Sequence, residues 1–398
     1  MTALEDMRVL DMTLWEAGTS GSQALAWLGA DVVKVEPPER GDPGRALGSG
    51  PGDSEYFLNW NSNKRSVTID LSQPAGRELL LEMLPHYDVF VENYAPGVIE
   101  KLDLGYEVMK AIHPGVIYAR VKGFGTSGPY SGYKCLDTVA QAAAGVLSVT
   151  GMPDGPPIRP GSTTGDCGTG VQLALVIVAA YVQRLRTGEG QLIELSMQEA
   201  MTYYMRTAVS MGSDFGNQAA ARMGNGYGVI TNLFPCSPGG PNDYIYLMLV
   251  NTRMWLALCE AIERPDLPED PRFEKGQGRM AHADDLYEEV ARWTRRHTKH
   301  EAMKRLAGAG VPCSAVLDTR DLFEDPHLLA RGFVKTVEHG VRGPVRLLGW
   351  PPRMSASQVE IEAAPLLGQH TAEVLSEDLG LDRAEIRALR ERGVIGRA

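Results

Sequence analysis

The sequence predicts an α/β protein with a parallel sheet, followed by a smaller α+β domain. Three observations carry this. Short β-branched runs alternate with helix-period segments over the first 200 residues, the pattern that builds a parallel sheet with helices on both faces. The character changes near residue 208, where Gly, Asn and Pro crowd the stretch NGYGVITNLFPCSPGGPND. A length of 398 residues also suggests two domains, or one large domain with an insertion.

The elements follow in order. Residues 8–11 (RVLD) read as a strand, and 18–28 (GTSGSQALAWL) as a helix with small residues at its start. Residues 30–36 (ADVVKVE) are a second strand, and 37–52 a Gly/Pro-rich loop. SVTIDL at 66–71 alternates like a strand. Residues 74–84 have apolar positions at helix spacing. YDVFV (87–91) and VIYARV (116–121) are further strands, and 139–149, 169–187 and 195–207 read as helices. The expected domain layout is 1–207 for the N-terminal part of the large domain, 208–225 a linker, 226–325 the small domain, 326–345 a second linker, and 346–398 a tail. Within the small domain 244–249 is a strand, 255–262 a helix, and 283–308 mostly helix. The tail ends in a helix at 383–392.

Composition narrows the function. The apolar share is 43%, the charged share 22% and the net charge −11. This balance is that of a soluble globular chain, and it argues against nucleic acid as a main partner. An anionic ligand would need local basic groups. Five Cys at 135, 167, 236, 259 and 313 are scattered and form no CxxC, which fits reduced thiols and a cytoplasmic setting. The N-terminus MTALEDMRVLDMTLW has acids early and no signal-peptide order. The apolar stretch around 173–182 reads as a buried core helix, too short to span a bilayer.

Several motifs fail on context. GFGTSG (123–128) follows a strand, but Pro129 and a turn follow it where a helix should receive a pyrophosphate. An NAD site is therefore not expected. His297 and His300 lack a third ligand, so no metal is expected. Cys167 has no His partner in view. NSNKRS (61–66) reads on spacing alone as a surface turn, as do Lys101 and Lys134 singly. Asp166 stands out within GSTTGDCGTG (161–170), just before the apolar run. Two readings stand. One is a helix N-cap for a start at Gly168 or Thr169. The other is a catalytic carboxylate whose flanking glycines admit a ligand and supply N–H donors.

Taken together, the stretches LGADVVKVEPPERGDPGR (28–45), NSNKRSVTIDL (61–71), VFVENYAPGVIEKLDLGY (89–106), KGFGTSGPY (122–130), DTVAQAAAGVLSVTGMPDGPPIRPG (137–161), GDCGTG (165–170), RTGEGQLIELSMQEA (186–200), GVPCSAVLD (310–318), EDPHLLARGF (324–333) and APLLGQHT (364–371) resemble the family III CoA-transferases. The likeness runs in order from about residue 7 to the end. It implies a large Rossmann-like domain without a nucleotide fingerprint, a smaller domain, and two open rings interlocked as a homodimer. It implies an acyl-CoA and a carboxylic acid as substrates, coenzyme A as the group moved, and neither metal nor NAD. In that family the Asp of the Gly-rich loop is the nucleophile, and Asp166 holds its place between Gly165 and Gly168. Asn93, Tyr94, Lys101 and Lys134 fall where the family touches CoA, and Glu16 and Ala17 beside the thioester. The family pattern has Gln at position 16, and Glu there would repel an anionic acyl group. Racemases of the same superfamily carry His in the place of Leu136, before Asp137. Leu exchanges no proton, which weighs against that alternative. A catalytically silent binder of CoA esters is the other alternative.

Overall fold

The computed structural model describes residues 1–48 and 52–396. The chain divides into two compact units, one of 1–147, 159–220 and 330 onward, the other of 148–158 and 221–329. Residues 49–51 of the expected Gly/Pro loop, and the last two of the tail, lie outside the described residues.

The first unit runs β1 (Arg8–Met12), α1 (Ala17–Ala26), β2 (Asp31–Glu36), α2 (Glu55–Asn61), β3 (Arg65–Thr68), α3 (Pro74–Met83), β4 (Val89–Glu92), α4 (Val98–Lys101), α5 (Tyr106–Ile112), β5 (Ile117–Lys122), α6 (Asp137–Ala143), α7 (Thr164–Thr187), β6 (Gln191–Ser196) and α8 (Met197–Tyr204). Its six strands form one sheet in the order β3-β2-β1-β4-β5-β6, and every neighbouring pair is parallel. Strand order reverses between β1 and β4. In open α/β sheets the loops leaving the carboxyl ends at such a point diverge and leave a crevice.

The central strands are buried on both faces, so they read as apolar runs rather than alternating ones. One core packs α1 and α7 on one face, with Leu25, Leu173 and Ile177 fully buried. The other face carries Leu80, Phe90, Tyr118 and Leu375. The exceptions to apolarity stand toward the carboxyl ends. Asp11, Lys34, Glu36, Glu92 and Lys122 are all buried, and each is paired: Lys64 to Asp11 at 3.0 Å, Lys34 to Asp42 at 2.9 Å, Arg45 to Glu36 at 2.7 Å, Lys122 to Glu92 at 2.8 Å. Lys64 is therefore not in a surface turn, as its sequence context suggested. Its side chain is fully buried, because the turn before β3 folds beneath α1.

The second unit holds β7 (Asn232–Pro235), β8 (Tyr244–Leu247), α9 (Thr252–Ala261), α10 (Gly276–Ala281), α11 (Ala283–Thr294), α12 (Lys299–Gly308), β9 (Cys313–Ala315), α13 (Asp321–Glu324) and α14 (Pro326–Ala330, its last residue in the first unit). Its strands form an antiparallel sheet in the order β7-β8-β9. The first unit then resumes with an antiparallel hairpin, β10 (Val334–His339) and β11 (Gly343–Leu348), where the sequence suggested a linker and the start of a tail. Two helices, α15 (Thr371–Leu379) and α16 (Arg383–Glu391), close the chain against α3 and β3.

Two helix expectations change. The helix expected at 195–207 starts at Met197, and the residues before it are β6, an edge strand paired to β5. Five residues of alternation (LIELS) were too few to outweigh the helical signal beyond them. The apolar helix expected at 169–187 starts at Thr164 and runs 24 residues, long and apolar enough by composition to cross a bilayer. It is a core helix on one side only. Val171, Leu175, Val182 and Leu185 recur on the opposite face and are exposed.

Candidate active site

Helices α1 and α7 cross closely because small residues meet at the crossing. A Cβ on Gly170 would lie 2.8 Å from Gly21 N and 2.9 Å from Ala17 O. A Cβ on Gly21 would lie 2.9 Å from Gly170 O. Both helices start at the same end of this crossing, so their unpaired first-turn N–H groups share a neighbourhood that favours negative charge.

Three carboxylates meet there. Asp166 sits in the first turn of α7, two residues inside its start. The helix begins earlier than expected, so Asp166 is not its N-cap. The position before the helix is Thr163, whose side chain makes no cap bond; its hydroxyl donates instead to Glu16 Oε1 at 2.5 Å. The capping is done from another element. Asp137, at the start of α6, accepts the Asp166 N–H at 3.2 Å, and Gln141 Nε2 fixes both Asp137 oxygens at 3.0 and 2.9 Å. This contact needs glycine at 165, since a Cβ would fall 2.5 Å from Asp137 O. The Asp166 carboxylate itself accepts no hydrogen bond among the described residues. Burial, then the charges of Glu16 and Asp137, push it up to about 7.

Glu16 is 2% exposed and directly precedes α1. Burial and then the hydrogen bond from Thr163 act in opposite directions, Asp137 adds repulsion, and the net result is a rise to about 7. The Tyr56 hydroxyl also bonds Glu16, and burial plus Glu16 and Asp166 raise that phenol. The charge of Glu16 is thus one of the causes that raise Asp166. Burial, then Glu16, Asp166 and Asp137, raise the thiol of Cys167, and burial, then Asp166 and Asp137, raise that of Cys135 to about 11, so neither is an activated thiolate.

The turn carrying Glu16 is held from below. Trp15 has φ +62°, a strained backbone for a bulky residue. Its N–H reaches Asp42 Oδ1 at 3.3 Å, and Lys34 Nζ grips Thr13 O at 2.6 Å. Asn93, just past β4, donates to Leu14 O at 2.8 Å and accepts from Leu14 N at 2.7 Å. Its amide therefore ties together the two loops at the strand-order reversal.

The expected site residues divide. Glu16, Asp137, Gly165 and Asp166 come together, with Ala17 against Gly170 and Gly168 under the Tyr204 ring. The Tyr94 backbone is tied to Glu92 and Lys122, and its ring packs on the core. Lys101 ends α4 and Lys134 lies in the loop before α6; both are exposed. Tyr56, Thr163 and Gln141 were not foreseen. Only Thr163 had a signal, its adjacency to the Gly-rich loop. Among the described residues no group of His, Cys, Asp and Glu is arranged to hold a metal. A cavity of about 790 Å³ lies beside the carboxyl ends of β2 and β3 and is lined in part by Arg40, Arg390 and Arg392.

A family model described as CoA-transferase family III matches residues 4–371. The chain is 40% identical to a formyl-CoA:oxalate CoA-transferase of Streptomyces coelicolor, with 99% of each chain covered. It is 37% identical to one of Rhodopseudomonas palustris, covering 99% of this chain and 97% of the other. Among solved structures it resembles a CAIB/BAIF family protein from Brucella suis, with TM-score 0.85, 30% identity, and coverage of 95% and 99%. It also resembles Rv3272 from Mycobacterium tuberculosis, with TM-score 0.80, 27% identity, and coverage of 93% and 98%.

Proposed function

Because the chain belongs to CoA-transferase family III, we propose that it moves CoA from an acyl-CoA thioester to a free carboxylic acid with Asp166 as covalent nucleophile. The observation that carries this is the state of Asp166. Its carboxylate lies in the first turn of α7 and accepts no hydrogen bond among the described residues, while Asp137 performs the capping.

The chemistry follows. The Asp166 carboxylate attacks the thioester carbonyl, the C–S bond breaks, and CoA thiolate leaves a mixed anhydride. The thiolate attacks the aspartyl carbonyl, the acyl group departs as free carboxylate, and an aspartyl-CoA thioester remains. The acceptor carboxylate attacks that thioester and releases thiolate. The thiolate then attacks the acceptor's carbonyl in the second anhydride, forming the new acyl-CoA and restoring Asp166. No net proton is consumed, and one difficult exchange becomes several easier ones. Each tetrahedral oxyanion forms where two helix N-termini offer N–H groups. The CoA phosphates need cations in an acidic protein. Arg40, Arg390 and Arg392 at the cavity beside β2 and β3, with exposed Lys101 and Lys134, are available on the carboxyl side of the sheet. The exposed apolar stripe of α7 supports a homodimer, since such a face is normally covered.

The test is trapping. The protein is incubated with formyl-CoA, acetyl-CoA and larger acyl-CoAs, quenched with hydroxylamine, and the peptide holding Asp166 is read by mass spectrometry. A hydroxamate on Asp166, absent in Asp166→Ala, is expected. A folded Asp166→Ala protein that still transfers CoA would refute the assignment. Formyl-CoA and oxalate are the first pair to assay, as the names of the relatives suggest.

A further inference from the structure

The acid cluster constrains the acceptor, on the reading that Asp166 is the nucleophile. When the acceptor arrives, Asp166 is an uncharged aspartyl-CoA thioester. The acceptor's reacting carboxylate therefore meets a neutral carbonyl. A second carboxylate directly attached to the reacting one, as in oxalate, is then brought close to Glu16 and Asp137, the acids that neighbour Asp166. Among the described residues no Lys or Arg forms an ion pair with Glu16, Asp137 or Asp166. The buried cations under the turn before α1 and along β2 and β3 are already engaged: Lys34 with Asp42, Lys64 with Asp11, and Arg45 with Glu36 and Asp53. Glu16 is also fixed in place. It is 2% exposed, bonded by Thr163 and Tyr56, and set on a turn pinned by Asp42, Lys34 and Asn93. It cannot swing away from an incoming charge without breaking those bonds.

We infer that Glu16 is a specificity-determining residue that makes this site accept monocarboxylic acids with an uncharged acyl body and reject oxalate-like diacids whose second carboxylate adjoins the reacting one. A fixed like charge at contact distance in a partly dry site changes affinity by tenfold or more. The charge at Glu16 is itself pH-dependent, because the residue titrates near 7. The titratable groups facing Glu16 and Asp166 are Cys167 on α7, Asp137 on α6, Cys135 before it, and Tyr56 on α2. The thiols and the phenol stay protonated across neutrality. Rejection therefore strengthens from pH 6 to pH 8.

The experiment compares oxalate with oxamate, which has the same shape and one charge less. New acyl-CoA is followed by chromatography with the full-length protein and a saturating donor. Wild type is expected to prefer oxamate at least tenfold in kcat/KM, with the ratio widening from pH 6 to pH 8. Glu16→Gln should lower that ratio at least tenfold and flatten its pH dependence. Use of oxalate as well as oxamate by wild type would overturn the inference; a cation supplied by a second subunit would give that result. An unchanged ratio in a folded, active Glu16→Gln protein would overturn it too. Hydroxylamine trapping on the same samples separates the two claims. A hydroxamate on Asp166 with unchanged selectivity removes the role of Glu16 alone, whereas no hydroxamate removes the nucleophile and this inference together.

Discussion

Replacing Gly170 with alanine sets two opposed effects against each other. Gly170 lies inside α7, where alanine gains about 0.8–1 kcal/mol of helix propensity. The packing opposes it. The added Cβ would sit 2.1 Å from Ser20 Oγ, 2.8 Å from Gly21 N and 2.9 Å from Ala17 O. Ser20 can rotate away, but the other two atoms are α1 backbone, so α1 must withdraw. Overpacking of this kind costs about 1–3 kcal/mol, and backbone contact places it at the upper end. The net is a loss of about 2 kcal/mol, or a Tm lower by roughly 2–4 °C for a chain of this size. Activity should fall further, because α1 carries Glu16 and α7 carries Asp166. Gly308 supplies the control. It ends α12, and an added Cβ there meets nothing within 4 Å. The same substitution there should be neutral or stabilise by about 0.5 kcal/mol. Calorimetry on both variants decides the matter. A Gly170→Ala protein as stable as wild type would refute the claim that small residues set this crossing.

Two other predictions rest on charge. If Asp166 is the nucleophile as proposed, it must be ionised to attack, so the transfer rate should rise with pH through about 7 and then level off. The stability sign is opposite: a carboxyl raised in the folded state holds its proton while the unfolded one loses it, so stability falls as pH rises from about 4 to 7. Asp166→Asn should accordingly raise Tm at pH 8 more than at pH 5, and equal changes at both pH values would contradict the raised pKa. Lys64→Met should cost roughly 3–5 kcal/mol, the usual effect of stranding a buried partner charge. Burial pushes Asp11 up, but Lys64, Lys34 and the hydroxyls of Thr13 and Ser22 outweigh it and hold it at about 2. Denaturant titration reads the loss, and a variant within 1 kcal/mol of wild type would show that Lys34 alone suffices.

Much of the fold was legible because its signals are local. The runs VVKVE, VFV and VIYARV are buried strands, and their alternation with helices implies a parallel sheet. The Gly-rich setting of Asp166 was legible for the same reason. What failed were short or composite signals. The edge strand LIELS was hidden by the helix after it, and the hairpin at 334–348 by its polar exposed face.

The sequence by itself determined the α/β class, the prominence of Asp166, and the resemblance that led to CoA. The tertiary structure alone decided what surrounds Asp166. Glu16, Tyr56, Asp137 and Thr163 come from four separate segments, and no spacing relates them. They converge because glycines let α1 and α7 touch and because buried ion pairs hold the turn at Trp15. Only that convergence shows Asp137 capping the helix, Glu16 raising Asp166, and the Asp166 carboxylate left without a hydrogen bond among the described residues.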